Sequence, residues 1–166
     1  MSLTDDQKIE HHRRFAEATN QGRADLTMAM CVPGATVWHN FDDKTIEYAS
    51  TGKTLEWMHT KIDGLRWETR SFSTTDDGWM WQAAIRGRAP GGELCAHTCM
   101  VVHLDEHGLI THLEEYIDPA QMAPLRACVR DHDPRHLHRQ RGAFGDGRDR
   151  KSTRLNSSHA NISYAV

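Results

Sequence analysis

His39 and Glu115 are ionisable residues set among apolar neighbours in strand-like segments, Val37-Trp38-His39-Asn40-Phe41 and Leu113-Glu114-Glu115-Tyr116-Ile117. Side chains alternate across a strand, so Leu113, Glu115 and Ile117 share one face and His112, Glu114 and Tyr116 the other. A carboxylate between two aliphatic side chains is either a hydrogen-bonded structural group or a desolvated general acid or base, and the sequence alone leaves both open. His39 reads equally well as a packed imidazole bonded to a backbone carbonyl. Cys95-x-His97-x-Cys99 with His103 places four ligand types on one face of one strand. Alternate residues stand about 6.6 Å apart, so the outer two of the first three span roughly 13 Å, too far for ligands about 2.3 Å from a single zinc. No metal site is expected there, and His132, His136 and His138 read as fortuitous metal affinity in a polar stretch.

Other chemistries lack their motifs. There is no Walker loop, no Gly-x-Gly-x-x-Gly after a strand, no Gly-x-Ser-x-Gly elbow and no His-Glu-x-x-His. The length of 166 residues and the balance of 20 Lys+Arg against 23 Asp+Glu suit one globular domain. Residues 1–127 carry 12 Lys/Arg against 19 Asp/Glu, and an acidic body of this kind argues against a nucleic-acid partner. No apolar run approaches the roughly 18 residues of a membrane span and the N-terminus does not read as a signal peptide, so a cytoplasmic protein without a membrane partner is expected. Four cysteines (Cys31, Cys95, Cys99, Cys128) without a Cys-x-x-Cys pair suggest reduced, mostly buried thiols.

The elements that must position His39 and Glu115 follow from caps, breakers and periodicity. Thr4-Asp5-Asp6-Gln7 predicts a capping box and a helix to Thr19 with Ile9, Phe15 and Ala16 inward. Asp25 begins a short second helix through Met30, which Pro33-Gly34 ends before a strand from Ala35 to Phe41. A third helix is predicted over Thr54–Ile62. Strands follow over Leu65–Thr74, Trp79–Ala89, Glu93–Leu104 and Leu109–Ile117, separated by Asp-, Pro- and Gly-rich turns. Helices followed by an antiparallel meander make an α+β architecture, with helices on one face of a curved sheet and room for a pocket between. The opposite sheet face is expected to pair with a second copy of the chain.

The domain is expected to end near residue 127. Residues 128–148 form a His/Arg/Gly-rich segment whose composition predicts a flexible tail. Residues 149–166, from Asp149-Arg150-Lys151 to Tyr164-Ala165-Val166, resemble the conceptual translation of a sequencing adapter, so the Asn156-Ser157-Ser158 and Asn161-Ile162-Ser163 triplets carry no information about secretion.

With the strand Val37-Trp38-His39-Asn40, the four-strand meander and the ending Leu113-Glu114-Glu115-Tyr116-Ile117-Asp118-Pro119, residues 5–125 resemble the NTF2-like superfamily, especially its bacterial SnoaL-like and ketosteroid-isomerase-like members. The resemblance implies an α+β cone: three N-terminal helices packed on a curved, mainly antiparallel sheet enclosing an apolar pocket. Such pockets commonly serve cofactor-independent acid/base chemistry on small hydrophobic carbonyl, polyketide or epoxide compounds. By position, His39 matches the general-base aspartate of ketosteroid isomerases, while Phe15 and Met100 stand where those enzymes have oxyanion donors, so steroid isomerisation is not expected. Matched to limonene-epoxide-hydrolase-like members, Glu115, Asn40 and Trp38 fall on functional positions, but Gln82 and Ala84 replace the remaining Arg and Asp. The acid on the last strand of polyketide cyclases matches Glu115. These matches disagree on whether His39 or the pair Trp38 and Asn40 faces the pocket, and a bulge could decide it.

The resulting expectation is a cyclase, isomerase or lyase without a cofactor or metal. Glu115 and His39 would act as an acid/base pair, Asn40 would orient a water or a substrate oxygen, and Asp42 would hold the loop or His39. Phe15, Trp38, Trp57, Met100 and Leu113 would contact the substrate. The alternatives are a non-catalytic small-molecule-binding or accessory protein, and an epoxide-hydrolase-like enzyme with an altered triad.

Overall fold

The computed structural model describes residues 3–126. The segments 128–148 and 149–166, and with them Cys128, lie outside the described residues. The elements run α1 (Asp5–Asn20), α2 (Ala24–Met28), β1 (Cys31–His39), β2 (Lys44–Glu47), α3 (Tyr48–Lys61), β3 (Asp63–Thr75), β4 (Gly78–Ala89), β5 (Gly92–Leu104), β6 (Ile110–Ile117) and a 3-10 helix, Pro119–Leu125. Six strands form one sheet in the order β2-β1-β6-β5-β4-β3. The only parallel pair among these neighbours is β1 with β6, so the first strand returns to lie beside the last.

Thr4 forms the expected capping box, accepting from the Gln7 amide while its own amide donates to the Gln7 side chain at 2.8 Å. The buried stripe of α1 is rotated from the one that apolar residues alone predict. Ile9 is exposed and Ala16 half-buried, whereas Lys8, His11, Phe15, Ala18 and Thr19 are inward. Local chemistry explains the polar members. The Lys8 ammonium donates to the backbone carbonyls of Thr75 and Asp76 at the β3–β4 turn, and His11 Nδ1 accepts from the Trp79 indole at 3.0 Å; next to it, half-buried His12 stacks on Phe72 with ring centroids 4.3 Å apart.

Several boundaries differ from the sequence expectation. α2 ends at Met28, and β1 runs from Cys31 to His39 with Pro33 and Gly34 inside it, where the strand was expected only from Ala35 to Phe41. α3 starts at Tyr48, six residues before Thr54, directly after β2, and its first turns pack on α2, with Gly52 against Ala24 and Met28. β2 pairs antiparallel with β1 and was not predicted, since four residues are too few to display alternation. The thiols are also less buried than expected, Cys95 being exposed and Cys31 and Cys99 intermediate; burial still pushes the Cys31 thiol up to about 12.

The core lies between the concave sheet face and the helices. Trp79 and Trp81 of β4, Val37 of β1, Val102 of β5 and Ile110 of β6 are essentially inaccessible within it. Among the described residues, no helix is long and apolar enough to cross a membrane.

Candidate functional site

The β1 backbone decides which residues face inward. Its pairing with β6 shifts register between Cys31 and Thr36, around Pro33 and Gly34, and Gly34 takes a left-handed φ of 79°. Downstream of this irregularity strict alternation buries Ala35, Val37 and His39, and turns Thr36 and Trp38 to the other face. On β6 the same alternation buries Leu113, Glu115 and Ile117. Parallel pairing then sets His39 directly beside Glu115, while Met100 of β5 flanks Glu115 on its other side.

His39 is fully buried and Glu115 is 5% exposed. The His39 Nε2 atom lies 3.4 Å from Glu115 Oε2, and the Thr98 hydroxyl donates to Glu115 Oε1 at 3.1 Å. One carboxylate oxygen is thus held by a hydroxyl and the other faces an imidazole, an arrangement that fixes the rotamer of a group able to take or give a proton.

Glu115 opens onto a cavity of about 60 Å³. Leu113 and Met100 line it from the sheet, Phe15 and Thr19 from α1, and Leu55 and Met58 from α3. Tyr48, Thr51 and Trp67 complete its polar edge positions. Burial, the largest influence on Tyr48, pushes its phenol above the ordinary range and keeps the hydroxyl protonated. Thr19 Oγ1, Thr51 Oγ1 and Trp67 Nε1 are buried without a hydrogen-bond partner among the described residues. Each such atom costs about 1–3 kcal/mol, and a pocket that accepts a polar ligand is one place where that cost is tolerated.

The structure therefore brings together Phe15, His39, Met100, Leu113 and Glu115, and sets Trp38, Trp57 and Asn40 away from the cavity lining. Trp38 lies on the outer face, where its indole donates to Asp43 Oδ1 at 2.9 Å and its ring meets the edge of Tyr116. Trp57 is half-buried against the core, but the helical period of α3 directs Thr51, Leu55 and Met58 to the cavity in its place. Asn40 is exposed, and its Oδ1 accepts from the Ile117 amide at 2.8 Å while its own amide donates to the Glu115 carbonyl at 3.1 Å. It ties β1 to β6 and does not line the cavity. Asp42, in the turn after β1, has a carboxylate oxygen 3.4 Å from the Lys44 ammonium. Replacing Asn40 by Ala leaves the Ile117 amide without this acceptor, so a stability loss of about 1–2 kcal/mol is expected. Urea unfolding checks it, and an unchanged midpoint would contradict the strand-tying role.

Sequence reasoning did not assign Thr98, Tyr48, Thr19, Thr51 or Trp67. Thr98 was accessible in principle, since it alternates with Met100 on the same face. Tyr48 was not, because it sits at a strand–helix junction six residues outside the predicted third helix. Among the described residues, no cluster of three or more His, Cys, Asp or Glu side chains is placed to hold a metal ion. His97 and His103 have other neighbours: the His97 amide donates to Gln121, and His103 Nδ1 lies 2.7 Å from an Asp77 carboxylate oxygen.

No protein-family model and no curated protein matches the sequence. Solved structures do match the fold. PrhC from Penicillium brasilianum superposes with a TM-score of 0.68 at 11% identity, over 78% of this chain and 91% of that one. A Jannaschia protein assigned as a SnoaL-like polyketide cyclase gives 0.63 at 12% identity, over 74% and 94%. An NTF2-like protein of unknown function from Burkholderia pseudomallei gives 0.61 at 16% identity, over 72% and 96%. By these superpositions the chain adopts the NTF2-like fold.

Proposed function

We propose that this protein is an enzyme of the cyclase, isomerase or lyase type that moves a proton on a small, mainly apolar compound, using Glu115 as the acid/base and His39 as its partner. The observation that carries the reading is the buried His39–Glu115 pair at 3.4 Å with Glu115 at the cavity wall. A carboxylate acts well on carbon acids when it is held in one orientation and shielded from water. Thr98 supplies the first condition and the apolar walls formed by Phe15, Leu113 and Met100 the second. His39, behind the carboxylate, stabilises its charge in one half of the cycle and relays or retains a proton in the other.

The fold supports small-molecule processing as a class and leaves the reaction to the site. The oxyanion donors of ketosteroid isomerases are absent at Phe15 and Met100, so the substrate and its stabilisation differ from theirs. The same residues would suit a protein that only binds a hydrophobic molecule. Deuterium uptake from D2O into a panel of small ketones, followed by proton NMR, separates the two. Catalysed exchange that depends on Glu115 supports the enzyme, and saturable binding without exchange supports the binding protein.

A further inference from the structure

Glu115 opens onto a space too small for a whole organic ligand. The cavity holds about 60 Å³, whereas small-molecule sites commonly run to roughly 300–1,000 Å³. We infer that the apolar groove between α2 and the start of β1 is the outer half of the same binding site, that the Tyr48 ring is a movable partition between the halves, and that the ligand carries an uncharged, unbranched aliphatic arm. This rests on the Glu115 cavity being a ligand site and does not require that Glu115 transfer a proton.

The groove encloses about 270 Å³, and Met28, Val32, Pro33, Ala35 and Ala49 give it apolar walls. Gly34 keeps its β1 side open, since a Cβ there would meet nothing within 4 Å. Met28 leaves 44% of its surface to solvent, apolar area that a hydrocarbon arm would cover. Cys31 also lines the groove, and burial, which pushes its thiol up to about 12, keeps it uncharged. Among the described residues no Lys or Arg lines either space, so an anionic arm has no counter-charge, and Glu47 of the groove is exposed to water.

The division between the two spaces is thin. Tyr48 lines both and is 6% exposed. Further along α3, Gly52 lines the cavity, and a Cβ there would stand 3.4 Å from the sulfur of Met28 on the groove wall. The first turn of α3 also serves both sides, Ala49 facing the groove and Thr51 the cavity. One layer of side chains therefore separates them. The Tyr48 hydroxyl holds the ring in place: Thr27 Oγ1 donates to the Ala24 carbonyl at 3.1 Å, so it accepts from the Tyr48 phenol. A turning ring gives up this one neutral bond, and the slot it opens is the width of a methylene chain, which is why the arm is unbranched.

The test uses the full chain labelled with 13C at the methionine methyls, assigned by single Met→Leu substitutions, with 1-butanol and 1-octanol as probes. 1-Butanol is expected to shift Met58 and Met100, which line the cavity, and to leave Met28 in place. 1-Octanol should shift all three on one saturation curve and bind at least about tenfold more tightly, since each methylene withdrawn from water adds up to about fourfold. Ala49→Phe fills the groove and should bring 1-octanol to within about threefold of 1-butanol without changing 1-butanol itself. Thr27→Val frees the Tyr48 hydroxyl and should tighten 1-octanol binding by about two- to tenfold. A Met28 methyl that saturating 1-octanol leaves unmoved, or that follows a different curve from Met58 and Met100, overturns the joined site. Unchanged 1-octanol binding in Thr27→Val overturns the partition. Glu115-dependent deuterium uptake by a ketone reports on proton transfer separately: exchange with an unmoved Met28 keeps the acid/base reading and removes the arm, and a moved Met28 without exchange does the reverse.

Discussion

Replacing Glu115 by Gln is expected to reduce proton exchange on a bound ketone by about 10²–10⁴-fold, the usual worth of a positioned general acid/base group, while the protein remains folded. The substitution is close to isosteric. The Gln carbonyl oxygen can still accept from the Thr98 hydroxyl, which now binds Glu115 Oε1 at 3.1 Å, and the amide nitrogen can face His39. What disappears is the ability to carry a proton. Glu115→Leu makes the useful contrast, because it also strips His39 and Thr98 of their polar neighbour and should cost stability as well as turnover. The measurement is the exchange rate of wild type and both variants at matched ligand saturation, with unfolding midpoints recorded alongside. Undiminished exchange in a folded Glu115→Gln protein would remove Glu115 from the reaction and favour a binding protein.

Glu115 and His39 stood out in the sequence because each violates the apolar pattern of a strand, and alternation alone placed Glu115 on the face of Leu113 and Ile117 where the structure has it. The meander was equally legible, since Asp76-Asp77-Gly78, Pro90-Gly91-Gly92 and Asp105-Glu106-His107-Gly108 mark its turns. The orientation of His39 was not. It depends on the register shift before Thr36, and a one-residue slip reverses every side chain of a strand. Trp57 was assigned to the cavity and Met58 was not, because which face of α3 meets the sheet is set by its packing on α2 and the sheet, which residue type alone does not reveal. Thr98 could be placed only on the face of Met100, and neither it nor Trp67 is an unusual residue for its strand. Their roles arise from a long-range pairing to β6 and from the end of α1, which clamps Trp67 through Asn20. Positions of unusual chemistry were therefore readable locally, and the groups that orient them were not.

Acidification is expected to destabilise the fold between pH 6.5 and 4 through two adjacent histidines far in sequence from Glu115. Burial, aided for His11 by the nearby Arg14 charge, lowers His11 from the ordinary 6.5 to about 4, and burial lowers His12 equally to about 4. The contacts require the neutral rings. Trp79 donates to His11 Nδ1 at 3.0 Å, so that nitrogen must keep its lone pair, and His12 is enclosed by Phe72, Trp79 and Trp81. The unfolded chain binds protons at these residues below about pH 6.5 and the folded chain only near 4. Their stabilising contribution is thus complete above pH 6.5, is lost as pH falls toward 4, and changes no further below it. Discounted for partial solvent screening, each ring contributes on the order of 2 kcal/mol, so the pair removes a sizeable part of the about 5–15 kcal/mol that holds a typical domain folded. His11→Gln keeps an acceptor for Trp79 and His12→Phe keeps the stacking on Phe72, and together they should flatten the dependence of the urea midpoint on pH across this window. An equal slope in wild type and double variant would assign acid sensitivity to other groups. A flattened slope would show that the α1–β4 contact, which also seats Phe15 beside the cavity, is held together by keeping these two imidazoles uncharged.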